Sequence, residues 1–424
     1  MDSAIPCQAV QIMMGDCEFQ IQDCLAQIAM LDARIGAWEY VDSIGALNRA
    51  RELDHVTLKG PLHGMAIGVK DIIDVAGMPT RCGSPIYALN MAKMDAACVA
   101  LAKAAGAIVI GKTATTELAA FHPAKTRNPQ NLEHTPGGSS SGSAAAVAAG
   151  MVPIAVGTQT AGSVIRPAAY CGVVGFKPTF GMVPRAGVKL QSDTLDTVGV
   201  FSRTVDDAMK WYVAMTGAHS STPGAANEKP LRITIITSLL DHTDVDMSVA
   251  VAEAADALSA GKVRVKELRL PSIFDDAPND QRVIQLSEMA RMYSLEYNSY
   301  RNLLSAKLVA MIEEGRGIDI SVYMAALERA NALRKQADLL LGDCDAWLLP
   351  SAPGAAPRGL ESTGDPLFSR ANTLLQQPAI NLPVYRNKNR MPLGLQLIGA
   401  RHQDEKLLAT AKRAIEIMRS TTHE

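Results

Sequence analysis

Hydrophobic positions along the chain repeat with two different periods, and the two periods alternate. Apolar residues at helical spacing predict one or two helices over residues 16–50. Short apolar runs predict strands at residues 65–73, 107–110, 154–158, 231–238, 263–270, 345–350 and 394–400. Further helical stretches are predicted at residues 95–105, 244–260, 280–341 and 403–418. This alternation of helices and strands indicates an α/β protein.

Two loops rich in small residues interrupt the alternation in the first half of the chain. Residues 137–150 (GGSSSGSAAAVAAG) predict a turn that opens an alanine-rich helix, because serine suits a helix start and alanine its body. Residues 159–167 (QTAGSVIRP) predict a loop after the strand at 154–158. A loop of this kind can turn successive backbone N–H groups toward one point, as an oxyanion site requires.

Composition narrows the class of protein. Of the 424 residues, 48% are hydrophobic and 20% are charged, with a net charge of −2. These values are typical of a globular protein with a substantial core, and we expect neither nucleic acid nor a membrane as a partner. No signal peptide is visible, and no apolar run is long enough to span a bilayer. Seven irregularly spaced cysteines without a CxxC pair favour reduced thiols, so we expect a cytoplasmic protein.

Residues 106–113 (GAIVIGKT) fit the pattern of a phosphate-binding loop, G-x-x-x-x-G-K-[ST]. A true loop of this type places its variable residues in a turn, where backbone N–H groups surround a phosphate. Here the variable residues are Ala, Ile, Val and Ile, which favour a buried strand. We therefore expect no nucleotide site in this segment.

Residues 138–142 (GSSSG) fit the nucleophile-elbow pattern of serine hydrolases around Ser140, with His402 as a candidate downstream histidine. An elbow follows a strand, whereas the segment before Ser140 is a long polar loop at residues 121–136. The missing strand counts against this alternative without removing it.

A third candidate site combines Lys70, Ser139 and Ser163. Amide hydrolysis needs a nucleophile, a base and an oxyanion site, and the two serines lie in the two loops of small residues. Lys70 follows a predicted strand in apolar surroundings, where burial lowers a lysine pKa and favours the neutral amine. An alternative stays open from the residues alone, because most lysines are solvated charges and most glycine-serine loops are only turns.

Residues 137–179 resemble the core signature of the amidase signature family, and GVKDIID at residues 68–74 resembles its lysine motif. The 24-residue interval from Ser139 to Ser163 matches the interval between the two catalytic serines of that family. The resemblance implies the amidase signature fold, a mixed twisted β-sheet covered by α-helices on both faces. It also implies a single domain over residues 1–424. Within it we expect N-terminal helices at 1–60, a catalytic core at 61–220 and pocket-wall helices at 280–341.

The resemblance also assigns roles to the candidate residues. Ser163 is the nucleophile, Ser139 is a bridging serine that follows a cis peptide bond, and Lys70 is the base. The oxyanion hole is formed by the backbone N–H groups of Thr160, Ala161, Gly162 and Ser163. The resemblance implies a small-molecule amide as the substrate, and a homodimer is a possible assembly because relatives are often homodimers. No histidine pair has a metal-ligand spacing such as H-x-x-x-H, so we expect no metal, and we expect no cofactor.

Several positions depart from the common family pattern. Gln159 stands where aspartate is usual, and Ala161 stands where glycine is usual. Arg166 follows the nucleophile by three residues instead of two, which resembles the malonamidase branch. In that branch the arginine binds a free carboxylate, for which its planar fork is suited, and Gln285 resembles a second substrate contact. A structural ion pair or a helix-capping role for Arg166 is the alternative.

These features together predict hydrolysis of a small linear carboxamide with a free carboxylate, similar to malonamate, to an acid and ammonia through a serine acyl-enzyme. A hydrolase of ureido or carbamoyl acids is one alternative. The amidase subunit of a glutamine-dependent tRNA amidotransferase is another, and the chain length and the displaced arginine count against it. A non-catalytic protein that binds a small acid is a rival of a different class, although all three triad positions are filled.

Overall fold

Helices and strands alternate along the chain, which confirms the predicted α/β class. The computed structural model describes residues 15–218 and 229–421. The strands are β1 (Trp38–Val41), β2 (Ala66–Lys70), β3 (Ile108–Thr113), β4 (Ile154–Gln159), β5 (Val174–Lys177), β6 (Thr197–Ser202), β7 (Arg232–Ile236), β8 (Arg264–Leu268), β9 (Ala346–Pro350), β10 (Ala379–Arg386) and β11 (Pro392–Ile398). The helices are α1 (Asp16–Ile35), α2 (Ser43–Asp54), α3 (Ala97–Ala104), α4 (Ser141–Ala148), α5 (Ile165–Cys171), α6 (Val205–Thr216), α7 (Val245–Ala260), α8 (Ala277–Met292), α9 (Ser294–Tyr300), α10 (Ala306–Gly317), α11 (Ile320–Leu341), α12 (Leu367–Leu374) and α13 (Asp404–Thr421).

The strands join one mixed sheet in the order β1-β3-β2-β4-β6-β5-β10-β11-β9-β7-β8. β2 pairs in parallel with β3 and β4, and β7 pairs in parallel with β8 and β9. The other neighbours are antiparallel. The predicted mixed sheet is therefore confirmed.

Helices cover both faces of this sheet, because successive side chains of a strand point to opposite sides. In β2, Ile67 and Val69 contribute to one apolar cluster, whereas Ala66 contributes to another. The first cluster also takes residues from α3, α6, α7 and α13, and the second from α1, α2 and α4. None of the helices in residues 15–218 and 229–421 combines the length and the apolar character needed to cross a membrane.

The prediction around the second loop of small residues was only partly right. The loop expected at residues 159–167 is shorter, because α5 already begins at Ile165. Pro167 lies in the first turn of α5, where its missing N–H costs no hydrogen bond. The strands β1, β5, β6 and β10 and the helices α6 and α12 were also missed.

The segment with the phosphate-loop pattern is a buried strand. β3 extends to Thr113, so the Gly-Lys pair of the pattern is part of the strand itself. Lys112 is fully buried, and its Nζ lies 3.0 Å from Asp71 Oδ1. Nζ also donates to Thr80 Oγ1 at 2.9 Å and to the carbonyl of Pro79 at 2.8 Å. Lys112 is thus fixed inside the protein instead of being free to bind a phosphate.

Candidate active site

Lys70 is the last residue of β2, and its side chain is fully buried. The parallel pairing of β2 with β4 places it near Thr158, which lies toward the same end of β4. Lys70 Nζ donates to Ser139 Oγ at 2.7 Å and to Thr158 Oγ1 at 2.8 Å. Two of the three residues predicted for catalysis are therefore in direct contact.

The environment of Lys70 favours the neutral amine. Burial lowers the pKa of Lys70 from its ordinary value to about 7, whereas the nearby carboxylate of Asp196 acts in the opposite direction. A lysine with its ordinary pKa of about 10.4 would need roughly 4–5 kcal/mol to be neutral at pH 7. Near pH 7 a pKa of about 7 leaves about half of the molecules with a neutral amine, which can accept a proton.

Ser139 lies in the turn that precedes α4, and the peptide bond between Gly138 and Ser139 is cis, as the resemblance implies. The next residue, Ser140, is tied to β4 on both sides of its hydroxyl. Its Oγ donates to the carbonyl of Thr158 at 3.2 Å and accepts from the Thr158 N–H at 3.3 Å. The described residues directly before this turn form no strand, and the backbone N–H of His402 donates to Thr179 Oγ1. The missing strand and the two hydrogen bonds that fix the Ser140 hydroxyl to β4 argue against the alternative nucleophile at Ser140.

Gln159 fixes the loop that carries Ser163. Its Oε1 accepts hydrogen bonds from the N–H groups of Val164 at 2.9 Å and Ile165 at 3.0 Å. Its Nε2 donates to Thr373 Oγ1 on α12 at 3.0 Å. Glutamine supplies both an acceptor and a donor here, whereas the aspartate that is usual in the family would only accept.

Three side chains from elsewhere in the fold hold the same loop. Thr160 Oγ1 donates to Asp196 Oδ1 at 2.5 Å, and the carbonyl of Thr160 accepts from Gln281 Nε2 at 2.9 Å. The carbonyl of Ala161 accepts from Thr373 Oγ1 at 3.0 Å. With these groups fixed, the loop is held in one conformation from several sides.

The backbone N–H groups of the loop are available to a ligand. Within the described residues, the N–H groups of Ala161, Gly162 and Ser163 donate to no acceptor of the protein. Ser163 itself is 9% exposed, so its hydroxyl lies at the edge of the buried region. Unpaired N–H groups beside a serine hydroxyl are the arrangement that stabilises a developing oxyanion.

Arg166 lies one helical turn after Ser163, and its side chain is buried. Its Nη2 donates to the carbonyl of Gly138 at 2.6 Å and to Thr363 Oγ1 at 3.2 Å. The first of these bonds links the turn of Ser139 to the helix that follows Ser163. Nε and Nη1 have no hydrogen-bond partner among the described residues. The alternative of a structural ion pair therefore finds no carboxylate partner in the described part of the chain.

Gln285 lies on α8 and is connected to the loop of Ser163 through a neighbour. Its Nε2 donates to Gln191 Oε1 at 2.7 Å, and its Oε1 accepts from Gln281 Nε2 at 3.2 Å. Gln281 in turn contacts Thr160, so Gln285 is one residue removed from the loop. Its proposed contact with a substrate stays a prediction.

Comparison with known proteins supplies the family. A family model described as Amidase matches residues 20–408. The chain belongs to the amidase family. Cleavage of amide C–N bonds is therefore its class of reaction.

Three similar proteins, one found by sequence and two by structure, illustrate the range of this family. A glutamyl-tRNA(Gln) amidotransferase component from Agathobacter rectalis is 30% identical, over 96% of this chain and 92% of its own. The peptide amidase of Stenotrophomonas maltophilia superimposes with a TM-score of 0.80 at 28% identity, over 95% of this chain and 94% of that chain. A structure from a vestigial protein complex, linked to the origins of an s-triazine catabolic enzyme, gives a TM-score of 0.86 at 26% identity, over 96% and 95%. The similarity to the amidotransferase component therefore extends over nearly the whole of both chains.

Among the residues around this amidase site that sequence reasoning missed are Thr158, Asp196, Gln281 and Arg370, whose Nη1 donates to Gln281 Oε1. Thr158 had a usable signal, because it ends the strand predicted at residues 154–158, where side chains of neighbouring parallel strands meet. The other three reach the site from distant parts of the chain, and no local motif marks them.

Within residues 15–218 and 229–421, no group of three or more His, Cys, Asp or Glu side chains is arranged to hold a metal ion. The histidines near the site have other contacts. His134 Nδ1 lies 2.7 Å from the carbonyl of Ala356, and His63 Nε2 lies 3.7 Å from Cys17 Sγ. The described site of this amidase consists of serine, threonine, lysine, arginine, glutamine and aspartate side chains together with backbone groups.

Proposed function

We propose that this amidase hydrolyses a small linear amide with a free carboxylate, releasing an acid and ammonia. Ser163 Oγ attacks the amide carbonyl, and its proton passes through Ser139 to the neutral amine of Lys70. The N–H groups of the oxyanion loop stabilise the negative charge on the carbonyl oxygen. Protonated Lys70 returns a proton to the leaving nitrogen, ammonia departs, and water cleaves the acyl-enzyme.

One observation carries this proposal: the buried Lys70 Nζ lies 2.7 Å from Ser139 Oγ, and burial lowers the pKa of Lys70 to about 7. A general base must be within hydrogen-bond distance of the proton it accepts and must be unprotonated at the working pH. Lys70 meets both conditions with respect to Ser139.

Arg166 supports the proposal that the substrate carries a free carboxylate. Its Nε and Nη1 are buried without a partner among the described residues, and such a charge is costly unless a ligand pairs with it. A carboxylate paired with this guanidinium would lie near the turn of Ser139, because Arg166 Nη2 donates to the carbonyl of Gly138. Malonamate-like amides carry an amide and a carboxylate close together, and ureido acids are similar in shape.

A second candidate function is the amidase component of a glutamine-dependent tRNA amidotransferase. The Agathobacter rectalis relative described above has this kind of name and aligns over nearly the whole chain, which supports the second candidate more directly than the first. In that case glutamine is the ammonia donor and further subunits are required. A homodimer is the corresponding expectation for the first candidate.

Ammonia release from a panel of amides separates these functions. The panel contains malonamate, its neutral analogue malonamide, a ureido acid, propionamide and glutamine, each tested with the unmutated protein and with Ser163→Ala. We expect release from malonamate and a loss of at least about 10³-fold in Ser163→Ala, because the nucleophile is removed. Ser248→Ala on α7 is the matched control and should keep full activity.

Arg166→Ala tests the carboxylate contact. We expect kcat/KM for malonamate to fall about 10- to 100-fold, with a much smaller loss for malonamide, because only the first substrate pairs with the guanidinium. Equal losses for both amides would contradict the proposed carboxylate. Release from glutamine alone, together with copurification of a larger protein, would establish the second candidate.

A further inference from the structure

Residues 363–370, called the 363–370 segment below, lie against the loop of Ser163 and the turn of Ser139. A methyl group added to Gly162 would lie 3.1 Å from Pro366 Cβ and 3.3 Å from Ser369 Cβ. A methyl group added to Gly138 would lie 2.8 Å from Thr363 Cγ2. The segment therefore forms a wall beside the loop of Ser163 and the turn of Ser139.

Unpartnered polar atoms face this region from two elements. Arg166 Nε and Nη1 and Ser369 Oγ are buried and have no hydrogen-bond partner among the described residues. Both side chains are at most 2% exposed. Buried polar groups are usually paired, so a cluster of unpaired ones beside a nucleophile indicates that a polar ligand pairs with them.

Arg370, the last residue of the segment, extends the same site. Its Nη1 donates to Gln281 Oε1 and, at 3.4 Å, to Gln285 Oε1. Gln281 donates in turn to the carbonyl of Thr160, so Arg370 is linked to the oxyanion loop through one side chain. Among the described residues, Nε and Nη2 of Arg370 make no hydrogen bond. Arg370 thus has N–H groups free for a ligand.

Arg166 and Arg370 are close enough for their charges to interact. Burial first, and then the charge of Arg166, lower the pKa of Arg370 to about 10. The exposed Asp365 is the acidic side chain that acts on both arginines. Arg282, which also acts on Arg370, is itself paired with Glu314. Two arginines and one aspartate leave one positive charge, which a single carboxylate would neutralise.

We infer that Arg370 is a substrate-contacting residue, which together with Arg166 holds the one carboxylate of the substrate and selects amides with a single net negative charge. Zwitterionic glutamine is disfavoured, because its net charge is zero and two guanidinium groups repel its ammonium group. This inference rests on the proposed function and specifies its substrate by charge.

Binding without turnover tests the inference. In the Ser163→Ala protein, calorimetry would give the Kd values of malonamate, malonamide and glutamine, and then the same values after a further Arg370→Gln substitution. We expect Arg370→Gln to weaken malonamate about 10- to 100-fold and to change malonamide less than about twofold. Arg282→Gln is the matched control, because it removes a neighbouring arginine charge without touching the segment, and it should leave both Kd values within about twofold.

A second substitution should act in the opposite direction. Asp365→Asn keeps the oxygen that accepts from the Leu367 N–H but removes the negative charge, so we expect malonamate to bind about threefold more tightly. Unchanged malonamate binding in both variants, or tighter binding of glutamine than of malonamate, would overturn the inference. A protein that hydrolyses malonamate but is indifferent to Arg370→Gln keeps the proposed function and loses the inference. Selective malonamate binding without any ammonia release keeps the inference and loses the proposed function.

Discussion

Lys70 shows how position in the fold changes the chemistry of a common side chain. Most lysines are solvated cations, but this one ends a central strand and, among the described residues, has two hydroxyl partners and no carboxylate within hydrogen-bond distance. Burial is the main cause of its lowered pKa, and Asp196 limits the effect. The residue therefore changes its charge within the physiological pH range.

The first prediction concerns the pH dependence of the rate. If only neutral Lys70 accepts the proton, kcat/KM should rise about tenfold per pH unit below pH 7 and level off above about pH 8. A pH–rate profile from pH 5.5 to 9 measures this, with circular dichroism at each pH to confirm that the protein stays folded. A flat or falling profile would rule out the lysine base.

Asp196→Asn provides the control for this profile. The carboxylate of Asp196 favours the charged form of Lys70, so its removal should shift the midpoint of the profile to lower pH. Because Asp196 also accepts from Thr160 Oγ1, the maximal rate should fall as well. A midpoint that moves to higher pH would contradict the assigned role of this charge.

Local sequence predicted the candidate catalytic residues better than the residues that hold them in place. Lys70 and Ser139 belong to short motifs whose spacing is specific, and the structure places them in contact. Gln281 and Arg370 contact each other across 89 positions of the chain, and Gln281 reaches Thr160 across 121. Such contacts depend on how helices and strands pack together, which no single segment encodes.

At the scale of elements, the buried ion pair of Lys112 and Asp71 connects β3 to the residue that follows Lys70. Both side chains are at most 1% exposed, and Asp71 Oδ2 also accepts from the N–H of Arg81. The same lysine gave the misleading phosphate-loop pattern. Its function in the fold is to hold the end of β2 and the following loop in place.

The second prediction follows from this pair. Lys112→Met leaves the carboxylate of Asp71 buried without its partner, so we expect the free energy of unfolding to fall by about 3–5 kcal/mol. Urea unfolding measures the change. Lys103→Met is the matched control, because its ion pair with Asp95 is partly exposed, and the expected loss is below about 1 kcal/mol. Similar small losses in both variants would show that the buried pair is not needed for stability.

The start of α5 shows why element boundaries are harder to predict than elements. Glycine and serine before Ile165 favour a loop, and Pro167 is usually a sign against a helix. Here the side chain of Gln159 accepts from the N–H groups of Val164 and Ile165, where the helix begins. A side-chain contact of this kind begins a helix that local propensities place later.

At the scale of the whole molecule, one sheet connects the two halves of the chain. β5 from the first half pairs with β10 from the second. The largest apolar cluster contains Val69 and Val156 together with Leu348 and Leu395. The two halves therefore share one core, and the single domain expected from the sequence stays a prediction.

The third prediction tests whether the two halves of the chain unfold together. The chain has three tryptophans, of which Trp38 lies in β1 and Trp347 in β9. In a variant that keeps only one of these two, with the others changed to phenylalanine, the fluorescence midpoint in urea should coincide with the circular dichroism midpoint of the same variant, because the shared core is lost in one step. The same coincidence is expected for the variant that keeps the other tryptophan. Separated midpoints within one variant would indicate two independently folding units.

The buried cysteines can report which regions of this protein become accessible to solvent. The six described thiols are free and buried, and burial raises the pKa of each, so the reactive thiolate is scarce while the fold is closed. They are distributed over α1, the loop after β2, α3, α5 and the turn just before β9. A short pulse of an alkylating reagent, followed by mass spectrometry, would therefore record the order in which these regions become accessible, without any engineered label.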